Sequence, residues 1–343
     1  MKDVVDAALN GNRRAAARLL TQIENQRDGV EDIIAALFPH TGRAVIIGIT
    51  GAPGTGKSSL VNAMAKGYRQ QGKTVGIIAV DPTSPFSGGA ILGDRIRMRD
   101  LSGDSGVFIR SMATRGSLGG LARATRDAIR VLDAAGFDVV LVETVGAGQS
   151  EVDIVRTAQT TLVVEAPGLG DDVQAIKAGI LEIADVLVVN KADRAGVKNT
   201  TQSLKAMLEL GHPASRLGLT GQHGRLITDV ISKGDILPEW IPPIVQTIAT
   251  QTVGVPELLE AIESHQVYVR SEPVRWKLDR LRFEIEIYER LRELVVDRLM
   301  SQTPDADISQ IVSRVQSREL DPQRAAQEIL KLYERLRSST DVT

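Results

Sequence analysis

From residue 44 onward the chain alternates short apolar runs with longer stretches whose apolar residues recur at helical spacing. The runs fall at 44–50, 74–80, 107–109, 137–142, 160–164, 186–189 and 244–248. The helical stretches between and after them fall at 57–71, 120–135, 172–182, 197–210 and 255–268. Strands that are apolar throughout, rather than alternating, are buried on both faces. Interleaved with helices, they predict an α/β fold with a doubly wound, mainly parallel sheet. Residues 1–38 read as helices, with Ala7, Ala8, Leu19, Leu20 and Ile23 apolar, then Ile33, Ile34 and Leu37 after a break at Asp28-Gly29. The segment Pro39-His40-Thr41-Gly42 closes this extension. After Pro273 the strands stop. Residues 278–300 form a charged helix with the stripe Leu281, Ile285, Tyr288, Leu291, Val295, Leu299, followed by helices at 306–316 and 321–337. That stripe needs cover, from the chain's own sheet domain or from a second copy.

Composition narrows the chemistry. Hydrophobic residues make up 43% and aromatics only 3%, so the core is aliphatic. The formal net charge of -2 implies no global attraction to nucleic acid or anionic lipid, so any anion site is built locally. With no cysteine, disulfides, thiolate nucleophiles and Cys-ligated zinc are excluded. His40, His212, His223 and His265 are scattered without metal-ligand spacing. Met1-Lys2-Asp3 does not open a signal peptide, and no apolar stretch exceeds strand length. The expectation is a cytoplasmic protein without a membrane span.

One segment carries a definite chemistry. Gly51-Ala52-Pro53-Gly54-Thr55-Gly56-Lys57-Ser58 fits G-x-x-x-x-G-K-[ST], preceded by an apolar strand and followed by a helix that opens with Lys57, Ser58 and Ser59. Glycines allow successive backbone N–H groups to turn toward phosphate oxygens, and the helix N-terminus adds partial positive charge. Lys57 is placed for the β- and γ-phosphates and the Ser58 hydroxyl for Mg²⁺. Asn190-Lys191-Ala192-Asp193 fits N-K-x-D directly after the run 186–189. A carboxylate there accepts from both the ring N–H and the exocyclic amine of guanine, a donor pair that adenine lacks. Ala249-Thr250, after the run 244–248, stands where a second guanine loop is expected, without the usual Ser-Ala. Together these predict a P-loop GTPase domain at 43–270, a helical extension at 1–42 and a helical arm at 271–343.

Hydrolysis also needs carboxylates near the phosphates. Glu143 ends the run 137–142, where Asp is commoner, and Gly146 three residues later is placed to donate its N–H to a γ-phosphate. Ala147 stands where Ras-like proteins carry a water-orienting Gln, with Gln149 two residues on. Slow intrinsic turnover follows. Asp81 ends the run 74–80 and is the main catalytic carboxylate expected, holding Mg²⁺-bound water or the attacking water; Asp94 is a second candidate. Arg97 is the choice among Arg95, Arg97 and Arg99 for offsetting transition-state charge. The segment 167–177 is either a nucleotide-sensitive loop or a plain capped one.

These motifs carry a resemblance. Val80-Asp81-Pro82-Thr83-Ser84-Pro85, Gly88-Gly89-Ala90-Ile91-Leu92-Gly93-Asp94-Arg95 and Gly119-Gly120-Leu121-Ala122-Arg123 join Val142-Glu143-Thr144-Val145-Gly146-Ala147-Gly148-Gln149, Pro167-Gly168-Leu169-Gly170-Asp171-Asp172 and the two nucleotide motifs. Over residues from about 12 to 300 the chain resembles the MeaB/ArgK family, the methylmalonyl-CoA mutase-associated GTPases. The resemblance implies a Mg²⁺-dependent GTPase binding GTP and GDP, with Ser58, Asp81, Asp94 and Glu143 around metal and water. It implies a C-terminal dimerisation arm, and a homodimer that escorts an adenosylcobalamin-dependent methylmalonyl-CoA mutase, gating its cofactor loading and guarding it from inactivation. It also implies that 167–177, with Lys177, communicates with the mutase. The competing readings are a P-loop kinase or ATPase linked to amino-acid transport, against which Asn190–Asp193 argues, and a metal-insertion GTPase, against which the lack of Cys and His clusters argues. A third is a binding module that uses GTP as a state marker.

Overall fold

The computed structural model describes residues 1–82, 98–101, 103–114, 120–144, 157–168, 183–210, 240–272 and 274–340. Among the described residues seven strands form one parallel sheet: β1 (Val45–Thr50), β2 (Val75–Pro82), β3 (Val107–Thr114), β4 (Val139–Thr144), β5 (Thr160–Glu165), β6 (Val186–Asn190) and β7 (Ile244–Thr247). Their spatial order is β3-β2-β4-β1-β5-β6-β7. All seven apolar runs are therefore strands. The expected helix at 172–182 lies outside the described residues.

Alternate side chains of each strand point to opposite faces, so the apolar runs feed two cores. On one face Ile78, Val80, Val140 and Val142 meet α1 (Lys2–Leu9), α2 (Arg13–Glu24), α3 (Val30–Leu37) and α5 (Gly120–Ala134). On the other, Val75, Ile77, Val139 and Leu141 meet α4 (Lys57–Gln70) and α7 (Val255–Arg270). A smaller cluster places Leu204 of α6 (Val197–Leu210) against Leu187 and Val189.

The N-terminal helices share the first core with the sheet. Leu19, Leu20, Ile23, Ile33 and Leu37 are fully buried there. Asn12 caps α2 by accepting from the Ala15 N–H at 3.1 Å. Gly29, at φ 83, makes the break between α2 and α3. The link into β1 is held by Asp133 of α5. Its carboxylate accepts from the N–H groups of Gly42 at 2.6 Å, Arg43 at 3.1 Å and Ala44 at 2.9 Å. Three charge-assisted bonds from successive amides fix the angle at which the chain enters the central strand.

The chain divides into two compact units at Trp276/Lys277, and α8 (Val274–Gln302) crosses that boundary. In the second unit α9 (Asp305–Gln316) and α10 (Pro322–Thr340) form a hairpin around Ile311, Leu320 and Ala325. An Arg314–Glu328 ion pair at 2.6 Å closes it. α8 leaves Phe283, Ile287, Leu291, Leu294 and Val295 exposed.

Candidate functional site

β1 runs between β4 and β5, with Ile49 opposite Glu143 and Thr50 opposite Val163. The chain then turns at Gly51, where an added Cβ would lie 2.1 Å from the Val164 carbonyl oxygen, so only glycine passes between the strands. The turn is closed from inside. Thr55, fully buried, donates its hydroxyl to the Ala52 carbonyl at 2.9 Å. Gly56 precedes α4 at φ 93, and a Cβ there would sit 2.5 Å from Asn190 Nδ2. Pro53 and Gly54 form the exposed crown and Ser59 is half-buried.

Two polar side chains follow the loop into the interior. Lys57, 6% exposed, donates from Nζ to the carbonyls of Gly51 at 2.7 Å and Ala52 at 3.1 Å. Ser58 donates from Oγ to Glu143 Oε1 at 2.7 Å, with both groups buried. That contact exists because β4 is the sheet neighbour of β1, which sets the end of β4 beside the first turn of α4. Thr144 adds a hydroxyl pair with Thr50 at 3.3 Å beneath the loop. The backbone of Asp81 lies on the same edge of the sheet: Val80 pairs with Thr144 across β2 and β4, and Asp81 is the next residue.

The second motif meets the first through Asn190. Its Nδ2 donates to the Thr55 carbonyl at 2.9 Å, and its Oδ1 accepts from Thr247 Oγ1 at 3.1 Å and from the Ala249 N–H at 3.2 Å. The Asn190 side chain, 2% exposed, is thus spent on joining the phosphate loop, the end of β6 and the turn after β7. Lys191, in the left-handed region at φ 57, lays its ammonium on the Gly54 carbonyl at 2.6 Å. Ala192 donates its N–H to the Thr247 carbonyl at 3.0 Å, leaving Asp193 exposed at the rim. Ala249 and Thr250 open a short 3₁₀ turn, Ala249–Gln251, pinched shut by an Ile248–Val253 bridge.

The structure therefore brings together the loop Gly51–Ser58, Glu143, Asn190, Lys191, Asp193 and the Ala249-Thr250 turn. Asp94, Arg97, Gly146, Ala147, Gln149 and residues 169–177, Lys177 included, lie outside the described residues. Sequence reasoning missed Thr247. Its signal was a lone hydroxyl near the end of an otherwise mostly apolar run, next to the candidate second guanine turn.

The Methylmalonyl Co-A mutase-associated GTPase MeaB profile matches residues 16–304. A Pyrococcus abyssi protein named as a GTPase is 46% identical over 330 residues, covering 96% of this chain and 95% of the relative. The mouse methylmalonic aciduria type A homolog, mitochondrial, is 30% identical over 290 residues, covering 84% of this chain and 65% of the relative. Among solved structures, one titled LAO/AO transport system kinase has a TM-score of 0.66 at 22% identity, with 97% of each chain covered, which establishes a shared fold. The chain is a guanine-nucleotide-binding P-loop GTPase, and by the match across most of its length it belongs to the MeaB family.

Proposed function

We propose that this GTPase is Mg²⁺-dependent and times cofactor delivery to an adenosylcobalamin-dependent methylmalonyl-CoA mutase, protecting the mutase from inactivation. It would act as a cytoplasmic homodimer. The observation that carries the reading is the Asn190 joint: the loop that meets phosphates and the turns that meet the base are tied to one side chain. The two ends of a nucleotide would thus meet segments tied to one side chain. The mutase enters through the family's printed name and through the name of the mouse relative. The dimer is supported by the exposed Ile287, Leu291, Leu294 and Val295 of α8. Among the described residues no helix is long and apolar enough to cross a membrane.

The donor set suits a hard cation. Ser58 and Glu143 offer only oxygen, at the buried N-terminus of α4. They would hold Mg²⁺, with Asp81 and Asp94 as the further carboxylates assigned to the metal and water. When bound, the ion neutralises charge on the β- and γ-phosphates. Lys57 exchanges its two carbonyl contacts for phosphate oxygens, a stronger charge-assisted pairing. The N–H groups of the loop and of Ser58 and Ser59 orient the chain of phosphates. Arg97 is assigned to offset charge in the transition state and Gly146 to sense the γ-phosphate. Asp193 accepts from the guanine ring N–H and amine, while the Ala249-Thr250 turn walls the base.

With Ala147 in place of a water-orienting Gln, turnover without a partner is slow. The test is GTP hydrolysis measured with and without a cobalamin-dependent mutase, beside capture of the mutase in GDP and in a GTP analogue. Acceleration by the mutase and nucleotide-dependent capture are expected. Fast turnover of the lone protein, or capture indifferent to the nucleotide, would overturn the partner role. Equal binding of ATP would overturn the guanine assignment.

A further inference from the structure

At the edge of the sheet opposite the phosphate loop, four polar side chains form a chain of hydrogen bonds that the GTPase reading does not use. His265 of α7 is 3% exposed. Its Nδ1 lies 2.8 Å from Thr160 Oγ1, at the start of β5, and its Nε2 lies 3.3 Å from Asp185 Oδ1, in the turn before β6. Gln266 donates from Nε2 to the same Thr160 oxygen. The other carboxylate oxygen of Asp185 accepts from the Thr161 N–H at 2.7 Å, which fixes the carboxylate's orientation. Trp240 covers the imidazole at 4.8 Å between ring centroids and donates its indole N–H to the Asp185 carbonyl at 2.8 Å.

The direction of these bonds is determined by counting protons. The Asp185 carboxylate only accepts, so the hydrogen of the neutral imidazole sits on Nε2 and is donated to Asp185. Nδ1 is then an acceptor and takes the Thr160 hydroxyl hydrogen, while Thr160 Oγ1 accepts from Gln266. This is a self-consistent neutral state with one flaw: Gln266 Oε1 is buried without a partner.

We infer that Gln266, Thr160, His265 and Asp185 form a two-state proton relay between α7 and the N-terminal ends of β5 and β6. When His265 takes up a second proton, Nδ1 becomes a donor to Thr160 Oγ1. The Thr160 hydrogen is displaced and needs an acceptor. Gln266, turned by 180° about its last bond, brings Oε1 to receive it. The imidazolium then faces Asp185 as an ion pair. One proton enters and bonds to Nδ1, no other covalent bond is made or broken, the hydrogen bonds of Thr160 to His265 and Gln266 reverse direction, and the charge of the cluster rises by one. The titratable groups placed against His265 among the described residues are Asp185 and, on its own helix, Tyr268, whose ring centroid is 5.8 Å away. Burial and the Asp185 charge hold the Tyr268 hydroxyl above its ordinary range, so it stays neutral. β5 presents Thr160 and the segment before β7 presents Trp240, neither charged. Helix α7 ends at Arg270, and the chain leaves it for the second unit, which begins at Lys277. The relay therefore lies on the last helix wholly within the first unit.

The full-length protein labelled with ¹⁵N in histidine and glutamine side chains tests this, with His265→Gln identifying the His265 signals. The expected result is the neutral Nε2–H form at high pH. On acidification the Gln266 side-chain NH₂ resonance should shift with the same midpoint as the His265 ring. Thr160→Val should abolish the Gln266 shift while His265 still titrates, and Thr160→Ser should retain it. An Nδ1–H neutral form, or a Gln266 resonance that stays still through the His265 titration, overturns the relay. The wild-type spectra decide this by themselves if a variant does not fold.

Discussion

The Ser58 hydroxyl donates to Glu143 Oε1 at 2.7 Å across 85 residues of chain. This bond joins the helix that begins at the phosphates to the end of the neighbouring strand. It keeps a buried carboxylate and a buried hydroxyl pointed at the same place.

Glu143→Gln keeps an acceptor for Ser58 and removes the charge. The fold should survive, and Mg²⁺-dependent GTP hydrolysis should fall about 100-fold or more, as when one preorganised electrostatic group is lost. Single-turnover hydrolysis across a Mg²⁺ titration measures it. Activity within a few-fold of wild type would remove Glu143 from the metal assignment.

Asn190→Ala strands the Thr55 carbonyl, the Thr247 hydroxyl and the Ala249 N–H in the interior. Leaving buried polar groups unpaired costs roughly 2–4 kcal/mol for a set of this kind. The urea midpoint should drop accordingly, and GTP affinity should fall with it, because both loops lose their common anchor. If affinity falls with no change in the midpoint, Asn190 instead acts directly on the nucleotide.

Asp193→Asn should exchange base preference. A carboxylate takes two N–H donors from guanine, whereas a carboxamide offers one acceptor and one donor, the complement of xanthine. GTP binding should weaken by at least about 10²-fold while XTP binding improves. Competition binding with the two nucleotides reads this, and unchanged GTP affinity would place the base elsewhere.

Gly56→Ala puts a side chain at φ 93, with Cβ 2.5 Å from the Asn190 amide. The left-handed backbone alone costs about 1–2 kcal/mol. The contact adds to it by pushing on the joint between the loops. Thermal unfolding should shift downward and nucleotide binding should be lost. Wild-type affinity in this variant would show that the joint has slack.

The turn after residue 98 supplies an acid-sensitive contact. The Arg69 guanidinium, then the Gly106 N–H, hold the Asp104 carboxyl below its ordinary value of 3.8. A carboxyl depressed in the folded state stabilises above the unfolded value, and that contribution is lost as pH falls through the lower, folded value. The drop in urea midpoint between pH 6 and pH 3 should therefore be smaller in Asp104→Asn than in wild type. An equal drop in both would show that the Arg69–Asp104 bond is not maintained in solution.

Much of this was legible in the chain itself. The seven strands, the described helices flanking them and the loop Gly51–Ser58 are each set by residues close to one another along the chain. Hydrophobic period and glycine placement are local signals, and they survive in the sequence as written. The same holds for Asn190–Asp193 at the end of an apolar strand. Tertiary structure decided what local pattern cannot express. Parallel strands pair through backbone groups that every residue carries, so no side-chain period states that β4 lies between β2 and β1. Yet that order is what brings Glu143 to Ser58. The order β1-β5-β6-β7 on the other side likewise brings Asn190, at the end of β6, to three partners drawn from two other segments, with Thr247 among them. The relay around His265 is a stronger case. Its four side chains come from three separate segments, and the direction of its bonds follows from which of the atoms brought together can only accept, because a buried proton must be accounted for at every atom it can reach.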